Sequence, residues 1–207
     1  SAVETLGATS VICTDKTGTL TENRMHAVLV WTTSGEQWLG GGRPTSSEVR
    51  SLDRLVEVLT TCNTAELTSV QTDLHSGPVG SGDPTEVALL SAAHLLGADV
   101  DSGRRDEARR AMFHFDPTLR LMSTVDETGR GFVVHTKGAP EEVLARSTAM
   151  RTVSDTTVHL DESARADVLA AVQRYAARGL RLIAAAYRDI DGVDLPGDRQ
   201  DAERRLH

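Results

Sequence analysis

The stretch MFHFDPTLRLMSTVDETGRGFVVHT, residues 112–136, decides the fold class of this chain. Three runs rich in β-branched and aromatic side chains, residues 112–115, 121–126 and 132–136, are separated by turn sequences, the second of them at Thr128-Gly129. This pattern predicts consecutive strands joined by short turns, and therefore antiparallel pairs. Because helices and strands elsewhere follow in mixed order rather than in strict alternation, the sequence indicates an α+β domain.

Apolar spacing and capping residues predict helices on both sides of this stretch. The clearest start is Asp83-Pro84-Thr85-Glu86, with a capping side chain, a proline in the first turn and an acid at the third position. The other predicted helices follow Ser46 or Ser47, cover 103–110 and 140–146, and run from Asp161 to Gly179. Further strands are predicted over 10–14, 25–31, 153–160 and 180–187, and a loop over 63–82.

Composition excludes several classes of protein. The 207 residues carry 30 acidic and 22 basic side chains, a net charge of −8 that argues against a nucleic-acid binder. No apolar run approaches the ~20 residues that span a bilayer, and the N-terminus lacks the pattern of a signal peptide. Two cysteines, Cys13 and Cys62, make no disulfide framework and no CxxC zinc site. Only two of the basic residues are lysines, Lys16 and Lys137.

The segment Asp15-Lys16-Thr17-Gly18-Thr19-Leu20-Thr21 follows the apolar run at 10–14, which predicts a buried strand of a parallel sheet. A carboxylate at the carboxyl end of such a strand stands where open α/β sheets bind ligands. Asp15 can act as a nucleophile that forms an aspartyl-phosphate, while Mg²⁺ prefers oxygen ligands of this kind. One strand cannot fold alone, so we expect the chain to be a fragment of a larger protein.

This segment resembles the phosphorylation signature of P-type ATPases, which pump ions or lipids, and residues 4–7, 10–14 and 22–25 extend the match. The resemblance implies that Asp15, Lys16 and Thr17 are catalytic and that Asp15 and Thr17 hold Mg²⁺. Related haloacid-dehalogenase enzymes usually carry a second Asp where Thr17 stands. Without that carboxyl to activate water, the phosphoenzyme should persist, which favours a pump over a phosphatase.

Four later motifs resemble the nucleotide-binding domain of such pumps. They are FHFDP with RLMS at 113–123, TKGAPE at 136–141, GDPTE at 82–86 and GLRLIA at 179–184. The resemblance implies that Phe115 stacks on adenine, whereas Phe113, expected on the same strand face, belongs to the core. It implies ATP-binding roles for Glu86, Phe115, Arg120, Met122, Lys137, Gly138, Ala139 and Arg181.

Plainer interpretations of the same residues stay open at this point. Phe115 could be a core residue, Glu86 could serve helix capping alone, and Lys137 and Arg181 could be surface charges. Cys62 and Asn63, which match a Cys-Asn pair of the family, are interpreted as structural, with Cys62 in the core.

The resemblance implies two units. Residues 1–24 would be the first piece of a haloacid-dehalogenase-like phosphorylation domain. Residues 25–207 would be a nucleotide-binding domain, an antiparallel sheet flanked by helices, with 189–207 as a charged and flexible tail. We expect a soluble, monomeric fragment that binds ATP at the cytoplasmic face of a membrane and joins further pump domains and transmembrane helices. The absence of a His-Pro dipeptide favours the calcium, sodium/potassium or magnesium pumps. A soluble phosphohydrolase and a nucleotide-sensing module without catalysis are the alternatives.

Overall fold

The computed structural model of the protein describes residues 10–11, 13–16, 19–33, 35–39, 52–69, 79–152, 156–192 and 194–207. The strands in chain order are β1 Leu29–Thr32, β2 Gly35–Trp38, β3 Glu66–Ser69, β4 Val79–Ser81, β5 Arg109–Asp116, β6 Leu121–Thr128, β7 Gly131–Gly138, β8 Ala149–Arg151, β9 Thr157–His159 and β10 Ala184–Asp191. The helices are α1 Asp53–Thr61, α2 Pro84–Leu95, α3 Ser102–Ala108, α4 Pro140–Arg146, α5 Glu162–Ala176 and α6 Arg199–Ala202.

A four-stranded antiparallel sheet forms the centre of the molecule, with the strand order β10-β7-β6-β5. Its register aligns Leu121 with Gly138 and Gly138 with Ala184, so the first residue of β6 and of β10 lies beside the end of β7. Two-stranded antiparallel ribbons, β1-β2, β3-β4 and β8-β9, lie outside this sheet. The predicted α+β class with antiparallel strands is confirmed.

The two faces of the central sheet bury separate apolar clusters. On one face, Val58 and Cys62 at the end of α1 pack with Met122, Val133 and Tyr187. On the other face, the clusters join strand residues to α4 and to the C-terminal segment: Leu121 with Val143, Ala186 and Leu206, and Val125 with Val134 and Ala202. The face toward α1 is called the α1 face below, and the opposite one the α6 face.

The helix starts follow their capping chemistry. The Asp83 carboxylate accepts hydrogen bonds from the backbone N–H groups of Thr85 and Glu86, and Pro84 occupies the first turn of α2. Asp161 caps α5 in the same way, through the N–H of Ala164. The helix predicted after Ser46 or Ser47 corresponds to α1, which begins at Asp53 with Leu52 at the N-cap position and no side-chain cap. Ser46 and Ser47 lie outside the described residues.

Several predicted bounds are wrong. The predicted loop at 63–82 contains β3 and β4, which pair with each other. The strand predicted over 180–187 begins only at Ala184, because Gly179, with φ +77°, and the Leu180 N–H bond to Tyr175 extend the helix end. The strand predicted over 25–31 is reduced to β1, and of the one predicted over 153–160 the structure describes β9.

The C-terminal residues 194–207 are packed on the domain, so the prediction of a flexible tail is wrong. Ala202 and Leu206 are fully buried. His207 and Tyr187 exchange backbone hydrogen bonds of 2.9 and 3.1 Å at the edge of β10. This segment has too few apolar residues to form a periodic pattern from which burial could be predicted. Their burial depends on packing against the central sheet.

The described residues near the N-terminus, 10–11 and 13–16, lie in no strand. A strand requires a neighbour for its hydrogen bonds, and none of the described strands pairs with this segment. The haloacid-dehalogenase-like strand and the boundary at residue 24 stay predictions. No helix within the described ranges is both long enough and apolar enough to cross a bilayer.

Candidate functional site

The sheet brings Met122 and Lys137 together on its α1 face. Met122 of β6 lies directly opposite Lys137 of β7, which in turn lies opposite Ala185 of β10. Residues directly opposite in an antiparallel sheet point to the same side. Since Met122 packs with Val58 and Cys62, this row of three faces α1 and α2.

A β-bulge brings Phe115 to the same face. Phe113 lies opposite Ser123 but Asp116 lies opposite Leu121, so two residues of β5 oppose Met122 alone. The extra residue reverses the alternation of side chains beyond it. Phe113 packs with the Val125 cluster on the α6 face, as expected for a core residue. Phe115 turns to the opposite face and is 57% exposed, so the expectation that both rings share one face is wrong.

Lys137 and Glu86 form a buried ion pair. The Nζ of Lys137 lies 2.7 Å from Oε1 of Glu86, and their side chains are 4% and 14% exposed. The second carboxylate oxygen of Glu86 accepts a hydrogen bond of 3.1 Å from the Thr64 N–H. The side chain of Asp83 caps α2. The Glu86 carboxylate contacts Lys137 and the Thr64 N–H and takes no part in the cap. Helix capping alone therefore does not account for Glu86, and Lys137 is no surface charge.

Asn63, treated as structural on sequence grounds, fixes the backbone around this pair. Its side chain is fully buried, donates to the carbonyls of Leu59 and Glu86, and accepts from the Ala65 N–H. It therefore ties the end of α1 to the first turn of α2. The neighbouring Cys62 is also buried and its Sγ lies 3.5 Å from the Met122 carbonyl oxygen, which confirms its place in the core. Burial raises the pKa of the Cys62 thiol to about 12.

Gly138 and Ala139 serve close backbone packing in this structure. A Cβ atom at Gly138 would lie 2.2 Å from the carbonyl oxygen of Arg120, and that same oxygen accepts a hydrogen bond from the Ala139 N–H. Arg120 itself has a left-handed backbone, with φ 55°. Its half-exposed guanidinium pairs with Glu142 at 3.0 Å, and hydrogen bonding from this arginine and from Arg146 lowers the pKa of the Glu142 carboxyl.

Arg181 is exposed and lies in the connection between α5 and β10. It lines a largely apolar cavity of about 880 Å³ whose walls include α5, β10 and residues 24–33. None of Phe115, Met122, Lys137 and Glu86 lines that cavity, although Val58 and Tyr187, which pack with Met122, do. Within the described residues, no hydrogen bond or ion pair joins Arg181 to any of these four. The predicted residues therefore lie beside this cavity and do not line it, and with their buried charge and exposed ring they form the candidate site.

Asp15 and Lys16 are exposed, while Thr17 and Gly18 lie outside the described residues. The Lys16 carbonyl accepts from the N–H groups of Leu20 and Thr21, which closes a turn behind the aspartate. Within the described ranges, no group of three His, Cys, Asp or Glu side chains is arranged to hold a metal ion. Because Thr17, the other predicted ligand, lies outside the described residues, the magnesium-binding role of Asp15 and Thr17 stays a prediction.

A second polar cluster on the α1 face escaped the sequence prediction. His135 is 2% exposed, and its Nδ1 lies 2.9 Å from Oδ2 of Asp126, which also accepts from Thr124 Oγ1. Its Nε2 lies 3.6 Å from Glu57 of α1. Burial alone would lower the pKa of His135, but the two carboxylates outweigh it and raise that pKa. The sequence did contain a signal for this cluster, because residues 133, 135 and 137 alternate along β7 and therefore share one face with Lys137.

Comparison with known proteins places the chain in a family. Residues 51–206 match the family model described as P-type ATPase, cytoplasmic domain N. The chain is 32% identical over 220 residues to a calcium-transporting ATPase of Bacillus subtilis, covering 99% of this chain and 24% of that protein. It is 36% identical over 154 residues to a calcium-transporting ATPase of Listeria monocytogenes, covering 70% and 16% of the two.

A relative from Rattus norvegicus gives a similar match. A potassium-transporting ATPase alpha chain 2 of Rattus norvegicus is 36% identical over 161 residues, covering 70% of this chain and 15% of that protein. The chain thus spans about a quarter of the length of these relatives or less. With a family model over most of its residues and a fold of the expected class, the chain belongs to the P-type ATPases and contains their cytoplasmic domain N.

Proposed function

We propose that this chain binds ATP on the α1 face of its central sheet, as the nucleotide-binding part of an ATP-driven cation pump. The observation that carries the proposal is the exposed ring of Phe115 on the sheet face that also bears the buried Lys137–Glu86 pair. Adenine would stack on Phe115, with Met122, Gly138 and Ala139 at its border. Arg120 and Arg181 are proposed to reach the phosphates once the nucleotide is bound.

The exposure of Phe115 supports the stacking role. A flat ring face offers a base a partner worth about 1–3 kcal/mol. A single exposed apolar side chain is common on protein surfaces. Phe115, however, is turned outward by a bulge, while the neighbouring Phe113 packs against the core. The strand thus departs from its regular pairing at the point where the exposed ring is needed.

The charge of Lys137 supports recognition of the nucleotide. An ammonium group has three N–H donors. Within the described residues its only ion pair is with Glu86, and its Nζ donates no hydrogen bond of regular geometry. Donors therefore remain, but Nζ is buried, so a nucleotide would reach them only after the side chains around it shift. Glu86 would keep the ammonium charged and in place, in addition to the contact with the adenine amino group that the family resemblance implies.

In the intact protein, a carboxylate oxygen of Asp15 would attack the γ-phosphorus of ATP in line. The new O–P bond forms as the bond to the β-phosphate oxygen breaks, which leaves an aspartyl-phosphate and ADP. Lys16 and Thr17 are proposed to act beside it. Within the described residues no ion pair or hydrogen bond joins the Asp15 side chain to the Phe115 region, so domain closure would be needed.

The proposed setting is the cytoplasmic face of a membrane, with the remaining pump domains and transmembrane helices as partners of this part. The relatives named above transport calcium or potassium, and a cation of this kind is the proposed cargo. Mg²⁺ is the proposed metal for the phosphoryl transfer, with further ligands from outside the described residues. The isolated chain is proposed to be a soluble monomer that binds nucleotide and hardly turns it over.

Calorimetric titration with ATP and ADP tests the proposal. Wild-type chain should bind both nucleotides, Phe115→Ala should lose roughly 5- to 150-fold in affinity, and Phe115→Trp should retain it. Leu169→Ala, which removes another exposed apolar side chain, is the matched control and should bind as the wild type. No binding by the wild type, or equal binding by Phe115→Ala, would refute the proposal. Steady phosphate release from a small phosphomonoester would favour a phosphohydrolase instead.

A further inference from the structure

We propose that Arg199 is a positioning residue for Phe115, because it holds the β-bulge that turns this ring to the α1 face. The proposal rests on the proposed function for its effect on ATP binding, but the role in holding the bulge can be tested without nucleotide. Arg199 is the first residue of α6 and belongs to the segment for which the sequence predicted a flexible tail.

The guanidinium of Arg199 contacts both strands at the bulge. Its Nη2 donates to the carbonyl of His114, one of the two β5 residues that oppose Met122. Its Nη1 donates to the carbonyl of Leu121 at 3.4 Å, one residue before Met122 on β6. The planar fork of an arginine can reach two acceptors at once, which a single ammonium cannot do in the same geometry.

The same guanidinium lies over the ring of Phe113, 5.7 Å from its centroid. Phe113 is the last residue of β5 in register before the bulge, and it points to the α6 face. Arg199 therefore contacts Phe113 and His114, the two residues that precede Phe115, from the side of the sheet opposite to the proposed nucleotide.

Arg199 is itself held in place by a buried network of polar side chains. Its Nη1 lies 3.5 Å from Oε1 of Glu203, whose side chain is 3% exposed. That oxygen also accepts from Ser123 Oγ at 2.7 Å, and Ser123 Oγ lies 2.9 Å from Thr136 Oγ1. Ser123 follows Met122, and Thr136 precedes Lys137. This network thus fixes Arg199 on the α6 face, opposite the strand residues of the candidate site.

The physical consequence concerns the register of β5. A bulge leaves one residue outside the regular ladder, so its backbone groups need other partners. Arg199 supplies a charged donor to one of these carbonyls. Apart from hydrogen bonds of the sheet ladder, Arg199 is the only donor to the His114 carbonyl within the described residues. Without Arg199, the Phe115 ring, which lies two strands away from Lys137, loses its fixed direction. A one-residue change in pairing would return Phe115 to the α6 face.

Fluorine NMR tests the positioning role without nucleotide. The chain has three phenylalanines, so incorporation of fluorophenylalanine gives three resonances that single substitutions can assign. Arg199→Gln should shift and broaden the Phe115 resonance and change its response to exchange of H₂O for D₂O. Arg188→Gln is the matched control, because Arg188 donates to the Asp201 carbonyl of the same helix α6 but does not touch β5. It should leave the Phe115 resonance unchanged.

Calorimetric titration with ATP then measures the effect on binding. Arg199→Gln should weaken ATP binding by about fivefold or more, and Arg188→Gln should not. In a Phe115→Ala background, Arg199→Gln should have no further effect, since the ring that it positions is gone. Arg199→Lys keeps the ion pair with Glu203 but not the fork, and should give an intermediate shift of the Phe115 resonance. It also serves as the test variant if Arg199→Gln does not fold.

An unchanged Phe115 resonance in Arg199→Gln or Arg199→Lys would overturn the proposal, as would equal changes in Arg188→Gln. Failure of the proposed function gives a different result. If Phe115→Ala binds ATP as the wild type does, stacking on Phe115 is refuted, whereas the fluorine signals still decide whether Arg199 holds the bulge.

Discussion

The Nζ of Lys137 lies 2.7 Å from Oε1 of Glu86, and both side chains are largely removed from solvent. One residue belongs to the central strand β7 and the other to the first turn of α2. This ion pair therefore joins the sheet to the helix at the border of the proposed nucleotide site. Its charge balance has a direct consequence for stability.

We predict that Glu86→Gln destabilises the fold by roughly 3–5 kcal/mol, because the buried ammonium of Lys137 would lose its counter-charge. Urea unfolding followed by circular dichroism measures the change. The double variant Glu86→Gln with Lys137→Met removes the charge as well and should recover most of the loss. A double variant as unstable as the single one would show that the charge is not the cause.

Lys137→Arg should weaken ATP binding while the chain stays folded. The guanidinium is wider than the ammonium and presents a planar fork, which does not fit a pocket formed around a point charge. Titration with ATP gives the affinity, and a thermal melt verifies folding. Arg130→Lys, an exchange of the same two residue types at an exposed turn position, is the control and should change neither quantity. Unaltered ATP affinity in Lys137→Arg would contradict the prediction.

Gly138→Ala should destabilise the domain by roughly 1–3 kcal/mol, because the added methyl group meets the Arg120 backbone carbonyl at 2.2 Å. The neighbouring strands would have to separate to admit it. Gly129→Ala is the matched control, since a Cβ atom there meets nothing within 4 Å. Chemical denaturation of both variants measures the difference, and equal stability of the two would count against the packing observed at Gly138.

The cluster of His135, Asp126 and Glu57 should make stability depend on pH. Burial would raise the pKa of Glu57 from its ordinary 4.5, but His135 and Arg54 outweigh it and lower that pKa to about 2. This contribution is complete above pH 4.5 and is lost as the pH falls toward 2. The raised pKa of His135 gives a contribution that is complete below its ordinary 6.5 and is lost as the pH rises through the raised value.

We therefore expect the contribution of this cluster to be greatest between pH 4.5 and 6.5. The free energy of unfolding, measured across the pH range, should separate wild type from His135→Gln most widely in that window. The difference should shrink at alkaline pH, where the imidazole has lost its charge. Parallel profiles for the two proteins would show that the charge on His135 contributes nothing.

The sequence by itself determined the fold class and the local structure of the candidate site. Turn sequences and β-branched runs predicted β5 to β7, and the cap at Asp83 predicted the start of α2. These features depend on interactions between residues close in the chain, so their signal is local. The motifs around Phe115 and Lys137 likewise marked the residues of the proposed site, since the family resemblance is carried by short segments.

Tertiary structure decided how these segments face one another. The pairing of Lys137 with Glu86, separated by 51 positions, depends on how α2 packs against β7. The bulge that separates Phe113 from Phe115 depends on the register with β6, which a single strand does not specify. Arg199 has no local pattern that marks it, because its partners are backbone carbonyls and a buried carboxylate. Contacts between distant elements fix burial, charge pairing and side-chain direction, and these exist only once the sheet has formed.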